Sequence, residues 1–391
     1  MRLFRLATKH PDLQYGRNEK KIRILYLGPD YGTSRHRADA LRRIGHNVEI
    51  IDPWKFLPYS GFPRKLIAKL VIEFGAAPFE PYIRWRLFRF IKWRRFDLIW
   101  NNQCHLIGPE TALLLKRFAD CTLTYANDDP FGRRDGRVFS LYRRSIRHFD
   151  LAAVVRQPNV AEARAWGAAS VALVRMSADE VAHRPLDLSS RDKDEWSSQV
   201  AFIGTWMPER GSFLARLIEL GVPLTIRGDR WSKSKEWFAL KGAWSGPGID
   251  GPDYVKAIQC AKVCLGLLSK ENRDLHTTRS AEIPYIGSVL CAERTSEHLE
   301  MYREDEEAVF WSTPEECAEK CFDLLGNQGR CEAIARAGRE RCVRDGYLNE
   351  RVISSILDVL TGRSATLASR QISPPDGCGD HVVPFYHGVA H

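Results

Sequence analysis

Short apolar, β-rich runs alternate with helical stretches along most of this chain, and the alternation stops once and then restarts. Residues 22–28 form the first run, 28–33 supply a turn, 36–44 read as a helix closed by Gly45, and 48–52 form a second run. Strand, helix, strand at this spacing is the opening of a parallel sheet, whose crossovers are usually helical. Further strand signals follow at 97–100, 122–125 and 151–155, with helical stretches between them. Residues 187–199 are polar, charged and poor in apolar side chains, and are read as a linker. The pattern then resumes with strands at 200–204, 224–228, 263–268 and 288–292. Helices are expected at 212–220, 252–261, near Arg279, and at 315–325, 330–344 and 349–360. Two such blocks predict an α/β chain of two Rossmann-like domains facing each other across a cleft. Their expected limits are 1–186 and 200–362, the last helix being free to return to the first domain. Residues 363–391, rich in Ser, Pro and Gly, are read as a flexible tail.

A length of 391 residues suits two domains, and 44% apolar with 27% charged residues is globular composition. No apolar run reaches the eighteen or so residues a membrane span needs, and the first ten residues have too short an apolar core for a secretory signal. Ten cysteines include no CxxC pair; Cys260/Cys264 and Cys317/Cys321 have helical spacing and are expected as buried free thiols of a reducing cytoplasm. The net charge of +9 is concentrated in residues 62–96, where nine basic side chains face only Glu73 and Glu80. Within it, Ile83, Leu87, Phe90 and Ile91 share one arc of a helical wheel, with Trp85 opposite and Trp93 on the flank among Arg86, Arg89 and Lys92. Trp among Arg and Lys suits a lipid-headgroup interface, so Trp85, Arg86, Arg89, Lys92 and Trp93 are candidates for contact with an anionic membrane surface or a lipid acceptor. A solvated, partly packed helix is the plainer alternative. No nucleic-acid-binding motif accompanies these residues, and no nucleic acid is expected.

The richest stretch chemically is 272–287, directly after the strand at 263–268 and so at the carboxyl edge of a sheet, where open α/β folds bind ligands. A helix starting near Thr278 would aim its first N–H groups at an anion there. Arg279 stands in its first turn against the helix-dipole preference, which a phosphate partner would explain. Glu282, one turn in, can accept from paired hydroxyls such as those of a ribose.

Several phrases in order resemble the GT-B glycosyltransferases, and among them the spore-maturation (CgeB-like) group related to the retaining glycosyltransferase group 1 families. They are residues 200–205 with Glu209 and Arg210, 272–284, 292–299, and in the first half 127–132 and 155–159; the resemblance covers roughly 22–360. It implies that Glu282, followed five residues on by Gly287, binds the donor ribose, and that Asp274, eight positions before it, lies near the donor sugar. Gly204 and Thr205 stand where the family often has Gly-Arg, Arg210 matches a diphosphate-binding Lys, and Arg279 or His276 is expected to replace the missing cation. Asn127 and Asp128 take the place of a His-Asp pair that faces the donor sugar. Asp128 and Asp129 could alternatively be a metal-binding pair, but that belongs to the other glycosyltransferase fold, which lacks a second Rossmann block. His36 and His105 are candidate bases if the anomer is inverted.

The expectation is therefore a metal-independent glycosyltransferase without a cofactor, its diphosphate leaving group stabilised by cations and N–H groups. It would take a nucleotide sugar as donor and a glycan, lipid-linked or other glycoconjugate as acceptor, in polysaccharide assembly, in the cytoplasm and peripherally at the inner face of the membrane. The alternatives are a non-catalytic glycan- or nucleotide-binding protein of the same fold, and a nucleotide-sugar epimerase.

Overall fold

The computed structural model describes residues 21–57, 64–132 and 134–362. The N-terminal stretch, the side chains of Arg64 and Lys65, and the segment 363–391 read as a tail lie outside the described residues.

The first sheet is laid down by β1 (Arg23–Leu27), α1 (Gly32–Arg43), β2 (Asn47–Ile51), α2 (Arg64–Phe74), α3 (Glu80–Ile91), β3 (Phe96–Asn102), α4 (Pro109–Lys116), β4 (Ala119–Ala126), α5 (Ser140–Ser145), β5 (Leu151–Val154), α6 (Gln157–Ala165) and β6 (Val171–Leu173). The second follows as α7 (Ser190–Trp196), β7 (Ser198–Ile203), α8 (Pro208–Glu219), β8 (Leu224–Arg227), α9 (Trp237–Leu240), β9 (Trp244–Gly246), α10 (Gly251–Gln259), β10 (Ala261–Gly266), α11 (Arg279–Ile286), β11 (Val289–Glu293), α12 (Ser296–Met301), β12 (Val309–Trp311), α13 (Pro314–Gly326), α14 (Gln328–Arg344) and α15 (Asn349–Leu360). Both sheets are six-stranded and parallel, ordered β2-β1-β3-β4-β5-β6 and β12-β11-β10-β7-β8-β9. Their central strands are covered by helices on both faces, which is why they read as continuous apolar runs rather than as alternation. In register, Ile24 lies between Val48 and Leu98, and Val263 between Val289 and Val200.

Three strands were missed by pattern: β6, β9 and β12, each of three residues and each at a sheet edge. The segment 187–199, read as linker, contains α7, whose Ser189 and Asp192 form a reciprocal capping box. Its polarity is that of a surface helix with no buried side chain. Cys260 and Cys264 do not share a helix: Cys260 ends α10 and Cys264 is on β10. The nine described cysteines are all free.

Helix α15 crosses to the first domain. Its Val352, Ile353, Ile356 and Leu357 complete a core made by Ile24, Tyr26, Leu41, Trp100 and Leu123. No helix among the described residues is long and apolar enough to cross a membrane.

Candidate active site

The carboxyl edges of the two sheets face each other, and the residues singled out from sequence collect there. On the first sheet, β3 runs into Gln103, whose φ of 51° puts a side chain in the left-handed region that ordinarily favours glycine. That turn aims its amide at the loop after β4. Gln103 Nε2 donates to Asp128 Oδ2 at 2.6 Å, and Gln103 Oε1 accepts from the backbone N–H groups of Asn127 and Asp128, the latter at 2.7 Å. Asn127 and Asp128 are thus pinned at the cleft, Asp128 partly exposed beside Arg134 at 3.4 Å. Asn127 Oδ1 is buried and has no partner, an uncommon condition for a native amide. Sequence reasoning missed Gln103, because nothing in a lone glutamine signals a strained turn.

The opposite lip is the loop 269–278 after β10. Arg273 there has φ 53°, and its guanidinium reaches across to the first domain, donating to Asp129 at 2.6 and 2.9 Å and to Glu162 at 2.8 Å twice. Asp129 also accepts from Asn159 and from the N–H groups of Phe131 and Gly132, and its N–H donates to Asn272 Oδ1. Burial would push the Asp129 carboxyl up, but these donors outweigh it and hold it below its ordinary value. The acidic pair 128–129 is therefore divided: Asp129 is a buried interdomain anchor, and only Asp128 opens to the cleft.

Asp274 is buried and accepts two bonds on Oδ1 from the guanidinium of Arg156, which also donates to the Asn127 carbonyl at 2.9 Å. Burial raises the Asp274 carboxyl in spite of that cation. Arg156 lies within a phrase already noted, but a single Arg after a strand gave no sign of its partner 118 residues away. Between these lips lies a cavity of about 330 Å³ lined by Arg156, Lys270, Arg273, Asp274, Leu275 and Glu297.

The donor-side candidates separate. His276 is fully engaged: Nε2 accepts from Met176 N–H at 2.9 Å, across the domain boundary, and Nδ1 meets Glu297. It has no nitrogen left for a phosphate, which corrects the expectation that it replaces a missing cation. Arg279 has a partner in its own chain, Glu282 at 3.2 Å, and lies over the Tyr254 ring. Its place in the first turn needs no phosphate to explain it. Free N–H groups were expected at the start of α11; instead those of Ser280, Ala281 and Glu282 donate back to the carbonyls of Thr277 and Thr278.

Glu282 is only 2% exposed and accepts from Tyr254 OH at 2.6 Å, with His183 Nε2 at 3.7 Å. Burial opposes its charge, but Arg279, His183 and Tyr254 hold the carboxyl below its ordinary value. His36 of α1 packs edge-on against His183 at 5.3 Å, and burial lowers its pKa. His105 packs against Phe139 and is likewise lowered by burial.

Arg210 is different. It stands in the first turn of α8, where β7 ends, and donates only to main-chain carbonyls, Thr205 at 2.9 Å and Leu267 at 3.1 Å. No carboxylate among the described residues lies within 4.0 Å of it, Nε is buried without a partner, and desolvation lowers its pKa. Ser269 Oγ and Trp206 Nε1, also on segments that leave the carboxyl ends of β10 and β7, are buried and unpaired as well. Gly204 places its carbonyl against Trp231 Nε1 at 3.0 Å, and a Cβ on Gly204 would meet the Phe202 ring at 2.9 Å. Its role with Thr205 is to set the turn that holds Arg210. As for metals, one group of three ligating side chains converges among the described residues: Cys291, Cys317 and Cys321, within 4.8 Å of one another in the apolar core of the second domain.

Residues 210–358 match a family model described as glycosyl transferase-like. No curated protein sequence matches the chain. Among solved structures, sucrose-phosphate synthase of Thermosynechococcus elongatus superposes with a TM-score of 0.60 at 12% identity, over 88% of this chain and 99% of that one. HepE of Anabaena, solved in complex with UDP and glucose, gives 0.59 at 12% over 87% and 100%. A glycosyltransferase from Rickettsia africae gives 0.58 at 12% over 90% and 100%. At such identity the likeness is one of fold. The chain has the GT-B architecture of two Rossmann-like domains, and its second domain carries a glycosyl transferase-like sequence from Arg210 onward.

Proposed function

We propose that this protein is a metal-independent glycosyltransferase of the spore-maturation (CgeB-like) branch, moving a sugar from a nucleotide sugar to a glycan, lipid-linked or other glycoconjugate acceptor. The observation that carries the reading is Arg210, a half-buried guanidinium with no carboxylate beside it and an unsatisfied Nε, at the edge where the second sheet's strands end. A partly buried cation with a buried Nε and no anion beside it carries a desolvation cost, and a bound diphosphate would offset it. The charge that develops on the leaving diphosphate would fall on Arg210, with Ser269 and Trp206 as further donors. Asn127 and Asp128, fixed by Gln103, would face the donor sugar from the opposite lip, and Asp274 would meet it once Arg156 moves aside. Glu282 would orient the ribose through the edge it shares with Tyr254. HepE, which shares the fold, was solved with UDP-glucose, which supports a nucleotide-sugar donor here. The proposed location is the cytoplasm.

A second reading, a glycan- or nucleotide-binding protein without turnover, is favoured by the fact that Asp274, Glu282, Arg279 and His276 are all bonded within the chain. The test combines a thermal-shift screen of nucleotide sugars, donor hydrolysis with and without acceptor, and calorimetric titration of Arg210→Ala. The variant should lose roughly ten- to a hundredfold in affinity for the nucleoside diphosphate, the worth of one charge-assisted bond, and nothing for the nucleoside. Equal diphosphate affinity in both proteins would refute the placement. Binding without any turnover would select the second reading, and release of free epimerised sugar without an acceptor would select an epimerase.

A further inference from the structure

Helix α3 buries Ile83, Leu87 and Ile91 completely, so its opposite stripe faces solvent. That stripe and the turn after it leave Tyr82, Trp85, Phe88 and Trp93 in water, Trp85 at 48% and Trp93 at 87% exposure. Two exposed indoles on one short helix and its following turn mark a surface built for contact. The cations among them divide into two sets. Arg84, Arg94 and Arg95 are neutralised by Glu110, Glu49 and Asp120 at 3.4, 2.7 and 2.6 Å. Arg86, Arg89 and Lys92 have no carboxylate within 4.0 Å among the described residues. Each is held instead against an aromatic ring: Arg86 is 4.9 Å from the centre of Phe56, Arg89 4.9 Å from Trp85, and Lys92 5.4 Å from Trp93. Arg86 is steered further by its bond to Tyr82 OH at 3.0 Å. Arg86 and Arg89 line an open hollow of about 380 Å³ with Phe56, Trp85 and Phe90.

An open hollow walled by rings and edged by two guanidinium groups that lack an acid offers the charge and the donors a phosphate needs, with room for the rest of a headgroup. Indole beside it belongs at headgroup depth in a bilayer. We propose that this face docks on an anionic lipid bilayer, with a headgroup phosphate between Arg86 and Arg89 and Trp93 in the interfacial layer. A single-stranded nucleic acid is the weaker occupant, because Arg89 and Lys92 already cover ring faces on Trp85 and Trp93 on which bases would stack. The proposal stands independently of the donor site: a protein without transferase activity could still dock in this way.

The test is co-sedimentation of the full chain with vesicles of phosphatidylcholine alone and of phosphatidylcholine mixed with phosphatidylglycerol. Binding should require the anionic lipid and weaken with salt. Each basic side chain at such a surface is worth roughly fivefold in partitioning, so Arg86→Gln with Arg89→Gln should lose roughly 25-fold. Arg191→Gln with Lys193→Gln removes the same charge from exposed positions on α7 and should change it by less than about twofold. Trp93→Ala should weaken binding while keeping its salt dependence. All these side chains are exposed or at the rim, and unchanged melting of each variant is the check on folding. Equal binding to neutral vesicles, equal loss in the two double variants, or tighter binding of single-stranded RNA abolished by the α3 substitutions would each overturn the proposal.

Discussion

Removing the side chain of Arg156 tests whether the two domains are latched through Asp274. The pair is deeply buried, with 4% and 6% of the two side chains exposed, and one carboxylate oxygen takes both guanidinium bonds. Deleting one partner of such a pair typically costs about 3–5 kcal/mol, because the other charge stays buried without compensation. The exposed pair Arg35–Asp39, at 2.8 Å with 45% and 35% exposure, is the internal reference: losing it should cost no more than about 0.5 kcal/mol. Asp274 can escape part of the penalty by taking a proton, since burial already raises its pKa and losing Arg156 raises it further. The sign follows from linkage. A carboxyl with a raised native pKa binds more protons folded than unfolded, so the stability of Arg156→Ala should increase as pH falls from neutral toward the ordinary Asp value of 3.8. Urea unfolding of wild type, Arg156→Ala, Asp274→Ala and the double variant at neutral and mildly acid pH gives the coupling energy directly. A coupling below about 0.5 kcal/mol, or a cost in Arg156→Ala that does not shrink on acidification, would refute the buried latch.

Glu282→Gln keeps the shape of the side chain but removes the charge facing Arg279 and Tyr254; if the carboxylate also orients ribose, nucleoside affinity should fall roughly ten- to a hundredfold by calorimetry. Unchanged nucleoside affinity would place the ribose elsewhere. Donor binding and turnover should survive EDTA, since Asp129 is spent on Arg273 and neighbouring N–H groups; a loss restored by manganese or magnesium would contradict this. The carboxyls of Asp129 and Glu282 are held below their ordinary values of 3.8 and 4.5. Their stabilisation is therefore present above those values and disappears as pH falls through the depressed native ones. The melting temperature should drop progressively below about pH 4.5, and a melting curve flat through that range would count against these networks.

The fold was legible because its central strands are continuous apolar runs, as 22–28 and 263–268 illustrate, and its amphipathic helices repeat apolar side chains at a fixed period. The edge strands β6, β9 and β12 escaped because three residues carry no period, and α7 because a helix with no buried side chain looks like a linker. The site was legible as a location but not as a wiring diagram. Residues 272–287 lie at the second sheet's edge and Asn127 and Asp128 at the first, but sequence spacing cannot show that His276 spends both nitrogens or that Arg279 answers Glu282. Gln103, Arg156 and Arg273 gain their importance from contacts 25, 118 and 144 residues away, a range at which local pattern carries no information.

The return of α15 to the first domain has a consequence for how this protein is made. Val352, Ile353, Ile356 and Leu357 close the hydrophobic core that Ile24 and Tyr26 open, so the first domain is the last to be sealed. The ribosome finishes β6 some 176 residues before it reaches α15, which at ordinary elongation rates is a wait of roughly 10–35 s. Throughout that interval the first domain exposes an apolar groove, while the second, contiguous from β7 to α14, gains its last strand, β12, before α15 is made. Released chains that end just before residue 349 should thus carry a protease-resistant second domain and a sensitive first one, the reverse of the usual order of synthesis.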